Sequence, residues 1–424
     1  MDNFSRMNQP NLQDRLSALA SVILEEKNRN DFPAPRPLDA NNHIHTFYSF
    51  SPYSPTLAVY QAYRAGLLVA GIVDHDSVAG LREFHQAAKI AGISSTGGVE
   101  VRVRFDRGFG TINNPDQPNC MYMVAHALPT DQVDQMDAFL SPYRLEREKR
   151  NRLMCDRINP LIAETGIHLS YDDDVRPLSK AKEAGTVTER HLLFALAKKL
   201  ESRFGKTPEL LHFLENGLRL RVGEKQRTLL SDSLNPFFTY DLLALLKTDT
   251  TPYYIPATEE MPLAEDFIQN AKKCGAIPAY AYLGDVTESV TQDKRAQKFE
   301  DSYLEDLIQE IKKIGVPALT YMPTRNTPAQ LNRIQDLCTR YHLMQISGED
   351  INSSRQKFPC DALANPQNHH LIEAAWALIG HESLVQKSGI EHGLFGSVHQ
   401  NVPLADRIRY FSTIAQKKDG GKAK

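Results

Sequence analysis

The chain has 424 residues, with 49 Lys and Arg against 52 Asp and Glu, a net charge of -3 and 41% hydrophobic residues. This size and apolar content exclude a disordered chain and call for one large domain carrying an insertion, or two domains, because a single core stops growing near about 250–300 residues. The balanced charge excludes a broad cationic nucleic-acid surface, and no run approaches the roughly 18 apolar residues that a bilayer crossing needs.

Met1 to Pro10 is polar and lacks the apolar core of a secretory signal, so a cytoplasmic location is expected. Asn11 can cap a helix in which Leu12, Leu16, Leu19, Ile23 and Leu24 recur at helical spacing, ending before a Pro-rich linker, Phe32 to Pro37. Short apolar runs and amphipathic helices then alternate, the pattern of a parallel β/α architecture. Pro55 to Ala65 reads as a helix, Leu67 to Val73 as a buried strand, Val78 to Ala91 as a helix, and Val99 to Phe105 and Met121 to Ala125 as strands. Between Thr130 and Asp249 charged helical segments take over, including Tyr143 to Ile158 and Glu189 to Leu200, which reads as a helical insertion. Alternation resumes with a helix from Thr258 to Cys274, a strand from Ala276 to Tyr282, a helix from Glu300 to Ile314, a strand from Val316 to Tyr321, a helix from Pro328 to Tyr341 and a strand from Leu343 to Ile346. Beyond Pro359 the chain reads as helical, with a disordered tail, Lys417 to Lys424. The five cysteines are scattered without a C-x-x-C pair and read as reduced thiols.

In such a fold, chemistry gathers where loops leave the C-terminal ends of strands. Four such places carry metal-capable side chains: His43-Ile44-His45, whose i, i+2 spacing on a strand points both imidazoles to one side; Asp74-His75-Asp76; Gly98-Val99-Glu100; and Ser347-Gly348-Glu349-Asp350-Ile351-Asn352. Imidazole with carboxylate suits zinc, manganese or iron.

The order and spacing of these four segments resemble the PHP (polymerase and histidinol phosphatase) domain family, in the form with a helical insertion that acts on nucleotides or short RNA. The insertion's Thr and His are similar to Val187-Thr188-Glu189-Arg190-His191. The resemblance implies a distorted (β/α)7 barrel over residues 39–130 and 250–356, an insertion over 131–249, a helical N-terminal extension over 1–38 and a helical C-terminal extension over 357–424. It implies one retained divalent ion on His43, His45, Glu100 and Asp350. At the positions of further ligands stand Tyr122, Tyr280 and Asn352, and Phe50 to Tyr53 supplies none, which leaves His75 alone of the third site. The expected activity is hydrolysis of a phosphate ester in a phosphorylated small molecule or short nucleic acid. In it Asp74 orients a neighbouring group, His75 serves proton transfer or a second metal, His191 moves protons or stabilises charge, and Arg190 meets phosphate; Arg325 and Arg355, which follow late strands, hold phosphate or, equally, are surface arginines paired to carboxylates. The alternatives are a metal-stabilised binding protein without catalysis and a hydrolase of C–N bonds.

Four further features have competing readings. His126 is a substitute ligand or a core histidine. Arg144, Arg147, Lys149, Arg150 and Arg152 form a nucleotide-binding face or, preferably, a solvated helix face. Asp172-Asp173-Asp174 is a metal site or, preferably, a turn or cap. Tyr48, Tyr53, Tyr122 and Tyr280 are a base-stacking lining or buried barrel tyrosines.

Overall fold

The computed structural model describes residues 3–286 and 298–420. Seven strands form one sheet in the order β1 to β7: β1 (Arg36–Ile44), β2 (Leu67–His75), β3 (Ser94–Arg104), β4 (Cys120–His126), β5 (Ile277–Tyr282), β6 (Ala318–Tyr321) and β7 (Met344–Ser347). The first three are mutually parallel, as are the last three. The expected wholly parallel pattern fails at β4, which runs antiparallel to both neighbours. No helix lies between β3 and β4, and without a helical crossover the chain returns in the opposite direction. The sheet curls into a nearly closed barrel: Ile44 bridges Ile351 just beyond β7, with the His45 amide donating to the Ile351 carbonyl at 2.9 Å. This is the distorted seven-stranded α/β barrel that the sequence calls for.

The helices bury their apolar stripes against the outer face. Leu81–Ala91 packs Leu81, Phe84, Ala87 and Ala88 inward and stops at Gly92, whose φ of +77° closes the helix in the left-handed region. Leu304–Lys313 buries Leu304, Leu307, Ile308 and Ile311 in the same core, each large side chain contributing about 1.5–3 kcal/mol by leaving water. The helix His369–Ser388 places Ala374, Ala377 and Leu378 against Ile277, Ala279, Ala318, Met344 and Ile346, near the N-terminal ends of their strands. Its Glu382 accepts hydrogen bonds from the Thr96 hydroxyl at 3.0 Å and the Gly97 amide at 2.7 Å, so it closes that end of the barrel.

A second core joins Met154, Ile158 and Ile162 of the 30-residue helix Val133–Ile162 to Leu192, Leu193 and Leu196 of Glu189–Phe204, with Leu242 and Leu246. Phe50, from the loop after β1, is buried in this cluster and ties it to the barrel. The solvated-face reading of the arginines fails for three of them. Arg144, Arg147 and Arg150 are buried, and the latter two meet Glu260. Asp172 to Asp174 lie in the five-residue π-helix Tyr171–Val175, which Ser170 caps by accepting the Asp173 amide on its hydroxyl, while Asp172 pairs with Arg152 and Asp174 with Lys199.

Boundaries shift in several places: β3 begins at Ser94 rather than Val99, the helix before β5 at Ala264 rather than Thr258, and the helix after β2 at Leu81 rather than Val78. β1 begins at Arg36, inside the expected linker, because the Arg36 amide donates to the Gly66 carbonyl at 2.8 Å. The helix Leu404–Gly420 runs into the expected disordered tail, whose last four residues lie outside the described ones. All five cysteines are free and buried. Among the described residues, no helix is long and apolar enough to cross a membrane.

Candidate metal centre

Because side chains alternate along a strand, His43 and His45 share one face at the end of β1. His75 ends β2 and lies in register with Glu100 on β3, so these two are side by side on the inner face. Asp350 follows β7, and the bridge that closes the barrel brings it to the same place. Glu100 is the hub: its Oε2 lies 3.0 Å from His75 Nδ1 and 3.7 Å from Nε2 of both His43 and His45. Asp350 Oδ1 lies 3.3 Å from His45 Nε2. Two overlapping triads result, His43 with His45 and Asp350, and His45 with His75 and Glu100, with the donor atoms of each within 4.8 Å of one another.

The electrostatics favour electron-pair donors. Burial, reinforced by the neighbouring His75, pushes the His45 imidazole down to about 3, so it is neutral. Burial opposes ionisation of Glu100, yet His75 and His43 override it and hold this carboxyl well below the usual range. Burial acts likewise on Asp350, but His45, His43 and Arg190 bring it down to about 2. His45 Nε2 is fully buried and has no hydrogen-bond partner among the described residues. A buried ring nitrogen left unpaired between two carboxylates is costly unless something electron-poor sits there. The donor set of imidazoles and carboxylates therefore fits a divalent cation.

The remaining predicted residues are placed as follows. Asp74 belongs to the opposite face from His75, and its carboxylate accepts from the Thr46 amide, the Thr46 hydroxyl and the Ser49 hydroxyl, each at 2.6 Å. Arg190 is close enough for its charge to help ionise Asp350. His191 is buried beside it in sequence. Its Nδ1 accepts from the Thr188 amide at 3.0 Å, its ring meets Phe50 edge-on, and no described contact joins it to the two triads. Arg355 is bound to Asp241 of the insertion at 2.8 and 2.9 Å. Arg325 donates to the Leu283 carbonyl at 3.1 Å and lies over Phe299, with no described contact to the triads.

Tyr122 faces the centre, its ring 5.8 Å from that of His75. Tyr280 does not. It pairs with Met123 across the antiparallel ladder and shares that residue's outward face, and its hydroxyl donates to Glu300 at 3.0 Å. The base-stacking lining that included Tyr280 therefore does not assemble on one face. His126 is buried, with Nε2 unpartnered among the described residues, but belongs to neither triad; burial, with the nearby His43 adding, pushes it down to about 3.

Sequence reasoning missed three participants. Asn352 donates its side-chain amide to Asp350 Oδ1 at 2.6 Å, so the residue that stands where the resemblance implies a ligand supports a member of the first triad. Ser49 lies 3.5 Å from His45 Nδ1. Glu260 joins Arg102, Arg147 and Arg150 in a buried network that extends to Asp76 and Glu189 and seats the insertion beside the centre. Ser49 lies four residues after His45 and Asn352 lies inside the fourth segment, where only its supporting role was missed, whereas Glu260 had no local signal.

No family model matches the chain. A 5'-3' exoribonuclease of Haemophilus influenzae is 31% identical over 151 residues, which span 35% of this chain and 47%, about half, of that relative. Among solved structures, a provisionally assigned metal-dependent phosphoesterase from Bifidobacterium adolescentis superimposes with a TM-score of 0.51 at 19% identity, over 77% of this chain and 93% of that one. An amidohydrolase from Chromobacterium violaceum, with sulfate bound and no metal, gives 0.51 at 16% identity over 75% of this chain and 89% of its own. The chain thus shares its fold with a provisionally assigned metal-dependent phosphoesterase and with an amidohydrolase.

Proposed function

We propose that the protein is a PHP-type metal-dependent hydrolase of phosphate esters, acting on a nucleotide or short oligonucleotide with a single divalent ion. The observation that carries this reading is the convergence of His43 and His45 at the end of β1, Glu100 within β3 and Asp350 beyond β7 around the unpartnered His45 Nε2. The exoribonuclease relative supports the nucleotide substrate class. These four residues would hold zinc, manganese or iron, which when bound polarises a phosphoryl oxygen and lowers the pKa of water.

The chain's own groups do the rest. Asp350 stays ionised beside Arg190, whose guanidinium fork has no hydrogen-bond or ion-pair partner among the described residues and suits a substrate phosphate. Arg355 is less suited, because Asp241 already occupies its fork. His75, with a side chain 26% exposed and Nδ1 on Glu100, keeps its other nitrogen to take or give a proton. His191 keeps Nε2–H as a donor because Nδ1 accepts from Thr188.

A second reading, a metal-stabilised binding protein, draws on Tyr122 and Asn352 standing where the resemblance implies ligands. One experiment separates them. Protein loaded with Zn2+, Mn2+ or Fe2+ is given nucleotides, 5'-phosphorylated oligoribonucleotides and, for the C–N alternative, amide and cyclic amide substrates. Phosphate-ester turnover abolished by Glu100→Ala, with circular dichroism unchanged, is the expected result. Absence of turnover in metal-bearing wild-type protein favours the binding protein, and turnover of amides alone favours the C–N hydrolase.

A further inference from the structure

The unpartnered nitrogen of His45 is useful to a cation only if it carries the lone pair rather than the proton, and a neutral imidazole has both options. Its tautomer must be set from the other side of the ring. On that side stands Ser49, fully buried, with Oγ 3.5 Å from His45 Nδ1, at the limit of hydrogen-bond reach. Among the described hydrogen bonds no other group meets Nδ1. Ser49 has one hydroxyl proton, and that proton is committed: Oγ donates to Asp74 Oδ1 at 2.6 Å. Asp74 is itself anchored by the amide and hydroxyl of Thr46, both of which donate to it. The Ser49 oxygen therefore faces His45 as an acceptor, and the ring answers by keeping its proton on Nδ1.

We propose that Ser49, clamped by Asp74, is a positioning residue that holds His45 as the Nδ1–H tautomer and so turns the Nε2 lone pair into the metal centre. The proposal rests on the metal-site reading above and adds the element that prepares the ligand before a cation arrives. A ligating histidine is generally oriented by an acceptor at its other nitrogen, and loss of that partner typically costs about 10- to 100-fold in metal affinity. Here the acceptor is a hydroxyl whose direction is imposed by a carboxylate one step further out. The arrangement also explains why Asp74 sits in the Asp74-His75 pair but turns its back on the centre: it acts on the first motif, not on the second.

The test uses the full chain stripped of metal and titrated with Zn2+ against a chromophoric chelator. Ser49→Ala is expected to weaken Zn2+ binding about 10-fold or more, in the range for lost outer-sphere partners, with the thermal midpoint of the metal-free protein within a degree or two of wild type. A second measurement covers the case in which Ser49→Ala folds poorly. Long-range proton–nitrogen spectra of histidine-labelled, metal-free wild-type protein, assigned by the signals lost in His45→Gln, should show His45 protonated at Nδ1. A proton on Nε2, or a Zn2+ affinity of Ser49→Ala within twofold of wild type, overturns the proposal. Wild-type protein that fails to bind Zn2+, Mn2+ or Fe2+ at all overturns the metal-site reading beneath it instead, and the two failures are distinguishable.

Discussion

Glu260 offers a sharp test of how the insertion is attached. Its carboxylate is 1% exposed and meets three guanidinium groups, Arg102 from β3 and Arg147 and Arg150 from the long insertion helix. Glu260→Ala leaves those three cations with only Asp76 and Glu189, so at least one guanidinium charge is buried without compensation. Breaking a buried ion pair from one side costs about 3–5 kcal/mol, a large share of the 5–15 kcal/mol typical of a folded domain. The loss should fall on the insertion's seat against the barrel. The chain has one tryptophan, Trp376, packed in the barrel core, while much of the helical signal comes from the insertion. Urea unfolding followed by far-ultraviolet circular dichroism should therefore show an early transition in Glu260→Ala, ahead of the Trp376 fluorescence change. The effect is pH-dependent with a definite sign. Burial works against ionisation of Glu260, but Arg147, Arg102 and Arg150 prevail and its folded-state pKa is depressed. The stabilisation is thus fully present above the unfolded value of about 4.3 and lost as pH falls through the folded value. A variant whose two transitions coincide with those of wild type at pH 7 would refute this account of the network.

Further predictions address other parts of the molecule. Burial pushes Glu382 up to about 8 despite the donors Gly97 and Thr96, so the fold should lose stability as pH rises from about 4.3 to about 8. Glu382→Gln should flatten that slope and melt higher than wild type at pH 8, and an unchanged pH profile would contradict the assignment. Asn352→Ala removes the amide that holds Asp350 and should weaken Zn2+ binding about 10-fold, the low end of the range for outer-sphere partners, by the same chelator competition; equal affinity would show that Asp350 needs no such support. The five buried thiols should react with a thiol-specific dye only after unfolding in urea, and rapid reaction in the native state would show that their burial is not real.

The centre was legible because its chemistry lies in short local patterns. Two histidines at i and i+2 must share a face of a strand, and His75 at the end of β2 stands opposite Glu100 within the neighbouring β3, so the sequence carries their convergence once the barrel is assumed. Tyr280 shows where such reasoning stops. Which of two adjacent residues faces inward depends on the pairing of β4 with β5, and the antiparallel reversal of β4 has no signature within the strand itself. Arg147 and Arg150 looked like surface residues because Glu260, the partner that pays their desolvation, is 113 and 110 residues away in the chain. Asn352 was read as a missing ligand, and only the 2.6 Å contact to Asp350 shows its work. Residue type located the metal-capable groups, whereas the supporting hydrogen bonds depended on register and on contacts distant in sequence.

The most direct measurement is the metal content of the purified protein by elemental analysis, with His45→Ala as control. The retained set of two imidazoles and two carboxylates predicts about one divalent ion per chain, lost in the variant. No bound ion, or the same content in His45→Ala, would contradict the centre, and about three ions per chain would show that other groups replace the missing ligands.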